Sequence, residues 1–80
     1  MSVECGQHVV PLEFLGPGQW GRVVEIEGHH PTVIRLAEMG IRAGTQLQML
    51  RPGRPCILAM GHHRMVYRGE TEALVWVELV

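Results

Sequence analysis

Glycine and proline recur at short intervals along the whole chain, and this punctuation limits the length of any helix or strand. Ten Gly and five Pro stand among 80 residues. Because both residue types interrupt regular structure and favour turns, we expect short elements joined by tight turns. We find no internal repeat, low-complexity tract or linker. The sequence therefore predicts one domain over residues 1–80, in which residues 1–10 form a loosely held N-terminal lead-in.

Five strands are predicted where apolar and polar residues alternate between these turns, since a half-buried strand has a period of two residues. They span residues 19–27, 45–51, 56–60, 63–68 and 74–79. The side chains expected to point inward are Val24, Ile26, Leu47, Met49, Cys56, Leu58, Met60, Val75 and Val77. Leu12 and Leu15 are expected to anchor the chain before a turn at 16–18, and residues 69–72 to form a further turn.

One helix is predicted, from Pro31 to Met39. Pro31 suits the first helical position, where its missing N–H costs nothing. Gly40 suits the left-handed residue that follows a helix, and the side chains of Leu36 and Ile41 would then touch across the termination. Five short strands with one short helix after the first of them indicate a small, mostly β barrel, which also hides its strand edges.

The composition excludes several classes of function. Seven basic and eight acidic residues give a near-neutral balance, whereas a nucleic-acid surface needs a concentrated basic stripe. There is no Lys and the only Ser is Ser2. A Schiff-base lysine, a phosphate-loop lysine and a triad on an internal serine are therefore absent. The pairs Glu25/Glu27 and Glu70/Glu72 fit solvated faces and turns, so we expect no enzyme activity and no cofactor.

The N-terminal residues and the cysteines indicate a compartment. The chain begins without the charged start and apolar stretch of a signal peptide, and no apolar run approaches the ~20 residues that span a bilayer. We therefore expect a cytoplasmic protein that does not insert into a membrane and keeps its thiols reduced. Such a compartment disfavours a bridge between Cys5 and Cys56.

Imidazole and thiolate groups raise the question of a metal site. The candidate ligands are Cys5, His8, His29, His30, Cys56, His62 and His63. Cys5 and His8 could form half a site, and Cys56 with His62 or His63 could complete one. However, both His pairs are adjacent in the chain, where neighbours on a strand point to opposite faces. No established ligand spacing is present, so we predict no metal site.

Two segments carry a resemblance to a known family. Residues 35–44, Arg-Leu-Ala-Glu-Met-Gly-Ile-Arg-Ala-Gly, resemble the helix-end signature of the bacterial ferrous iron transport protein A (FeoA) family. Residues 73–78, Ala-Leu-Val-Trp-Val-Glu, resemble its closing strand, and the likeness runs over residues 11–79. The chain departs from the family pattern at Tyr67, where Leu is expected, and at Trp76 and the pair His62-His63.

The resemblance implies an SH3-like barrel of about five strands with a helix inserted after the first. It also implies a cytoplasmic accessory protein that contacts the cytosolic region of a membrane ferrous iron transporter with a GTP-binding domain. The same barrel occurs as the C-terminal domain of metal-dependent repressors, so a regulatory or sensor module that binds a peptide or a transition metal is the alternative. A homo-oligomeric structural protein is a third hypothesis.

Four side chains are the candidates for contact with a partner: Arg35, Met39, Arg42 and Trp76. The two arginines can bind carboxylates on a partner. Trp76 alternates away from its inward neighbours, and an exposed Trp buries much area at small entropic cost. The opposing hypotheses are that Met39 covers the mouth of the barrel and that Trp76 packs against the helix or the N-terminal segment.

Overall fold

A computed structural model describes residues 8–69 and 73–80. The described strands are β1 (Val9–Pro11), β2 (Trp20–Gly28), β3 (Gln46–Arg51), β4 (Cys56–Met60), β5 (His63–Tyr67) and β6 (Ala73–Leu79). A 3₁₀ helix (Leu12–Phe14) follows β1, and α1 (His30–Glu38) lies between β2 and β3. The strands form one antiparallel sheet in the order β1-β6-β2-β3-β4-β5. The predicted fold class, a small SH3-like barrel with one inserted helix, is confirmed.

The first strand is an addition to the predicted five. Val9 pairs with Glu78 and Val10 with Val77 of β6. Both valines belong to the predicted lead-in, but three residues of strand are too short to show an alternating pattern. Residues 1–7 of the lead-in and part of the predicted turn at 69–72 lie outside the described residues.

A β-bulge in β2 corrects one inward prediction. The register with β6 passes from Val23 to Glu25 and skips Val24. Val23 is therefore buried, whereas Val24 is 38% exposed, and the prediction that Val24 points inward is wrong. A bulge inserts one residue and shifts the two-residue period. Beyond it, Ile26 packs against the core as predicted.

The helix begins one residue earlier than predicted. His29 is its N-cap and makes no side-chain capping bond, and Pro31 occupies the second helical position rather than the first. Proline is tolerated there because the N–H groups of the first helical turn have no partner within the helix.

The end of α1 has the geometry that the sequence predicts. Gly40 has a φ of 101°. The Ile41 N–H donates to the Leu36 carbonyl at 2.9 Å, and the Gly40 N–H donates to the Ala37 carbonyl at 3.0 Å. These are the two bonds of a Schellman termination, and both Leu36 and Ile41 are fully buried.

One core cluster fills the space between the sheet, α1 and the 3₁₀ helix. Its buried members are Leu12, Leu15, Val23, Leu36, Ile41, Leu47, Met49, Cys56, Leu58, Tyr67, Val75 and Val77. Gly21 of β2 is also buried, and its missing side chain leaves room for two members of this cluster. A Cβ on Gly21 would lie 3.2 Å from Leu15 Cδ1 and 3.2 Å from Val77 Cγ2. The predicted inward positions on β3, β4 and β6 are confirmed, with Met60 half-buried.

Candidate interaction surface

The chain that leaves α1 is tied to β2, which holds the helix end in place. The Thr45 hydroxyl donates to the Gly40 carbonyl at 2.9 Å. The Gly44 N–H donates to the Val23 carbonyl at 2.7 Å, and the Val23 N–H donates to the Thr45 carbonyl at 2.9 Å. Residues 40–45 are therefore fixed between the helix and the sheet.

Three of the four predicted contact residues lie around this turn. Arg35 is in the last turn of α1, Met39 is its C-cap, and Arg42 follows the glycine. All three side chains are exposed, and Met39 is 43% exposed. The Met39 N–H donates to the Arg35 carbonyl at 3.1 Å, so the two residues are one helical turn apart. We call these three residues the helix-end surface.

Met60 lies against the turn at the helix end. Its Cε is 3.6 Å from the position that a Cβ on Gly40 would take, and the side chain packs against the core. Met39 remains accessible to a partner, whereas Met60 is half-buried.

Trp76 lies on the outer face of β6, away from the inward-pointing valines of that strand. Its register partners are Pro11 of β1 and Glu25 of β2. The side chain is half-buried, and its indole N–H donates to Glu27 Oε1 at 3.3 Å. Trp76 thus lies between β1, which belongs to the N-terminal segment, and β2, and it is on a different element from the helix-end surface.

The candidate metal ligands do not come together in the part of the chain that the structure describes. No group of three His, Cys, Asp or Glu side chains there could hold a metal ion. His8, His29, His30, His62 and His63 are exposed. Cys5 lies outside the described residues, so the half-site of Cys5 and His8 has no structural description.

Cys56 is a buried free thiol at the start of β4, opposite Tyr67 of β5. Burial is the main cause that raises the pKa of the Cys56 thiol, and the negative charge of Glu13 raises it further. A bond with the backbone of Cys56 itself acts in the opposite direction but is outweighed. Because the thiolate is the nucleophile, this environment makes Cys56 an unreactive core residue.

Some exposed apolar side chains were not identified by the sequence analysis. Phe14 is 75% exposed and lines a groove of about 180 Å³ with Leu74, where the 3₁₀ helix faces β6. Arg54 and Glu13 form an ion pair of 3.0 Å at the same groove. Val66 on β5 is 54% exposed. Phe14 lies on a 3₁₀ helix and Val66 stands between two apolar residues, so no alternation of apolar and polar residues marks either one as exposed.

The charges of the chain are also segregated, and this signal was present in the sequence. Residues 39–69 contain five of the seven arginines and no acidic residue. The arginines are Arg42, Arg51, Arg54, Arg64 and Arg68. Since β3, β4 and β5 all belong to this stretch, one half of the sheet has a positive charge that the near-neutral total conceals.

The fold places this chain in the class of small SH3-like β-barrel domains. No helix among the described residues is long and apolar enough to span a membrane. A family model described as the FeoA domain matches residues 10–79. The chain therefore belongs to the FeoA family.

A solved structure supports the same assignment. The chain is similar to a crystal structure of an iron uptake regulatory protein (FeoA), with 32% sequence identity and a TM-score of 0.77. The match covers 91% of this chain and 100% of that one. No curated protein matches the chain.

Proposed function

We propose that this protein is an adaptor of ferrous iron uptake, which contacts the cytosolic region of a membrane ferrous iron transporter that carries a GTP-binding domain. The observation that carries the proposal is the FeoA domain over residues 10–79, with the likeness to an iron uptake regulatory protein over nearly the whole chain. In this proposal the protein acts in the cytoplasm by protein contact, without catalysis, cofactor or nucleic acid.

The helix-end surface is the proposed docking site. Met39 presents a flexible apolar side chain, which suits contact surfaces. Arg35 and Arg42 lie on either side of it in the chain, and arginine binds carboxylates in bidentate geometry. The bonds of residues 40–45 to β2 support this choice, because a backbone that is already ordered loses less entropy on binding.

Trp76 is proposed as a second contact on the outer face of β6. Its bond to Glu27 holds the indole in one orientation. A rigid aromatic side chain that is half-exposed can bury further area against a partner with little additional ordering. Because Trp76 is on a different element from α1, the transporter would contact the barrel at two places.

The experiment is a binding titration of this protein with the purified cytosolic region of the transporter from its own organism. It is run without nucleotide, with GDP and with a non-hydrolysable GTP analogue. Met39→Asp is expected to weaken binding at least about tenfold, since it replaces an apolar contact by a charge at the centre of the surface. Phe14→Asp is the matched control, because it makes the same change at another exposed apolar residue.

Trp76→Ala is expected to weaken binding to a smaller degree, and all three variants are first checked for folding by circular dichroism. Equal losses in Met39→Asp and Phe14→Asp would contradict the choice of surface. Absence of binding in every nucleotide state would contradict docking on the cytosolic region.

A regulatory module is the second candidate function, because the similar crystal structure is described as an iron uptake regulatory protein. In that case the barrel would bind a peptide or a transition metal in place of the transporter. A peptide is the better supported ligand, since no group of three ligating side chains is found in the described residues. Titration with ferrous iron under anaerobic conditions distinguishes the two ligands.

A further inference from the structure

The strand β5 is at one end of the sheet and pairs with β4 alone among the described residues. Met60 and His63 are register partners on either side of the two-residue turn at 61–62. In a hairpin with such a turn the flanking pair is hydrogen-bonded, and the next pair along is not. Arg64 and Val66 are therefore the β5 residues whose N–H and C=O groups point away from β4.

The side chains of Arg64 and Val66 both lie on the outer face of the sheet. Arg64 is opposite Ala59 and Val66 is opposite Ile57 on β4. Both are exposed, and Val66 is 54% exposed. Between them, Met65 points to the other face and packs against the core. The free edge therefore presents one apolar side chain and one cation outward, and an apolar side chain inward.

A groove adjoins this edge on the outer face. It has a volume of about 420 Å³ and is lined by the turn at 51–55 together with Ile57 and Val66. Arg51 and Arg54 belong to its lining, and Arg54 is already paired with Glu13. Arg51 and Arg64 form no ion pair with any other described residue. The uncharged side chains that line the groove are apolar, and its charged side chains are arginines.

We propose that the free edge of β5 binds an extended segment of a partner protein, in which acidic and apolar residues alternate, as an added strand. The outward N–H and C=O groups of Arg64 and Val66 supply the backbone bonds of such a strand. In an added strand, successive side chains point to opposite faces. Acidic side chains would meet Arg64 and Arg51 on the outer face, and apolar side chains would lie beside Met65 on the inner face.

Charge decides between this partner and a second copy of the chain. Pairing β5 with β5 of another copy would bring arginines of the two edges together, and like charges on neighbouring strands are destabilising. Residues 39–69 supply no acidic side chain to compensate. An acidic segment instead neutralises the edge. The edge of β5 and the helix-end surface are different parts of the barrel, so the proposal for one can hold when the proposal for the other fails.

The test uses two synthetic peptides, one of alternating Glu and Val and one of alternating Lys and Val, titrated into the whole protein labelled with ¹⁵N. The acidic peptide is expected to shift the amide resonances of β4 and β5 and to slow hydrogen exchange at the N–H groups of Arg64 and Val66. The Lys peptide is expected to leave these resonances unchanged. Higher salt is expected to weaken binding of the acidic peptide.

Two variants separate the backbone contribution from the charge. Val66→Pro removes an N–H that points outward and leaves the bonds to β4 intact, since proline is tolerated on the solvent side of an edge strand. This variant is expected to lower the affinity for the acidic peptide about tenfold, because the added strand loses one backbone hydrogen bond and packs less well against the edge. Arg64→Glu is expected to weaken binding of the acidic peptide and to allow binding of the Lys peptide, because it reverses the charge of the edge.

The proposal is overturned if the acidic peptide leaves β5 unshifted, or if both peptides bind equally well. It is also overturned if Val66→Pro keeps its fold and binds with unchanged affinity. Shifts of β5 that depend on protein concentration in the absence of peptide would show that a second copy occupies the edge instead.

Discussion

Replacing Gly40 by Ala tests whether the left-handed backbone at the end of α1 requires glycine. Gly40 has a φ of 101°, a conformation that side chains with a Cβ rarely adopt. The nearest atom to an added Cβ would be Met60 Cε at 3.6 Å, which is an ordinary contact. Space is therefore available, and any loss of stability reflects the backbone conformation.

The expected loss follows from two opposing effects. Holding a residue other than glycine in the left-handed region costs about 1–2 kcal/mol. Alanine also restricts the unfolded chain more than glycine does, which returns about 0.4–1 kcal/mol. The net destabilisation of Gly40→Ala is then about 1 kcal/mol, equivalent to a decrease of roughly 4–8 °C in Tm for a domain of this size.

Urea unfolding followed by circular dichroism measures this loss directly. The midpoint is expected to fall while the slope stays constant, since the surface exposed on unfolding does not change. Gly40→Asn is the matched control, because asparagine enters the left-handed region more readily than alanine. Wild-type stability in Gly40→Ala, or a larger loss in Gly40→Asn than in Gly40→Ala, would refute the argument from strain.

Two further predictions concern the core. Gly21→Ala is expected to destabilise the protein by about 1–3 kcal/mol through overpacking, because its Cβ would lie 3.2 Å from Leu15 Cδ1 and Val77 Cγ2. Thermal unfolding measures this loss of stability, and an unchanged Tm would contradict the prediction. Burial raises the pKa of the Cys56 thiol, so the unfolded chain loses this proton first as pH rises and stability falls above the ordinary thiol pKa. Urea unfolding at neutral and alkaline pH compares Cys5→Ser with Cys5→Ser/Cys56→Ala, and the decrease in stability is expected only in the first. An equal decrease in both variants would contradict the assignment of the pH dependence to Cys56.

The parts of the fold that depend on local pattern could be predicted from the sequence. The alternation in β3 places Leu47 and Met49 in the core, because a side chain's face in a regular strand depends on the count of residues alone. The termination at Gly40 is likewise local, since its bonds join residues no more than five positions apart. These features require no knowledge of which strands are neighbours.

The errors and omissions occur where distant segments meet. The bulge at Val24 is defined by the register between β2 and β6, which are far apart in the chain. The bond from Trp76 to Glu27 joins residues 49 positions apart. The short strand β1 has too few residues to show a period and is held by pairing with β6. A pattern along one segment cannot reveal such pairings.

The buried polar side chains that the structure describes have their hydrogen-bond partners within the fold. Among the described residues, the buried polar side chains are Thr32 and Glu78, and Glu78 forms an ion pair with Arg22 of the neighbouring strand. No buried side-chain nitrogen or oxygen in this part of the chain lacks a hydrogen-bond partner. The fold itself therefore accounts for these groups. Both proposals accordingly place partner contacts on exposed side chains, at the helix end and at the edge of β5.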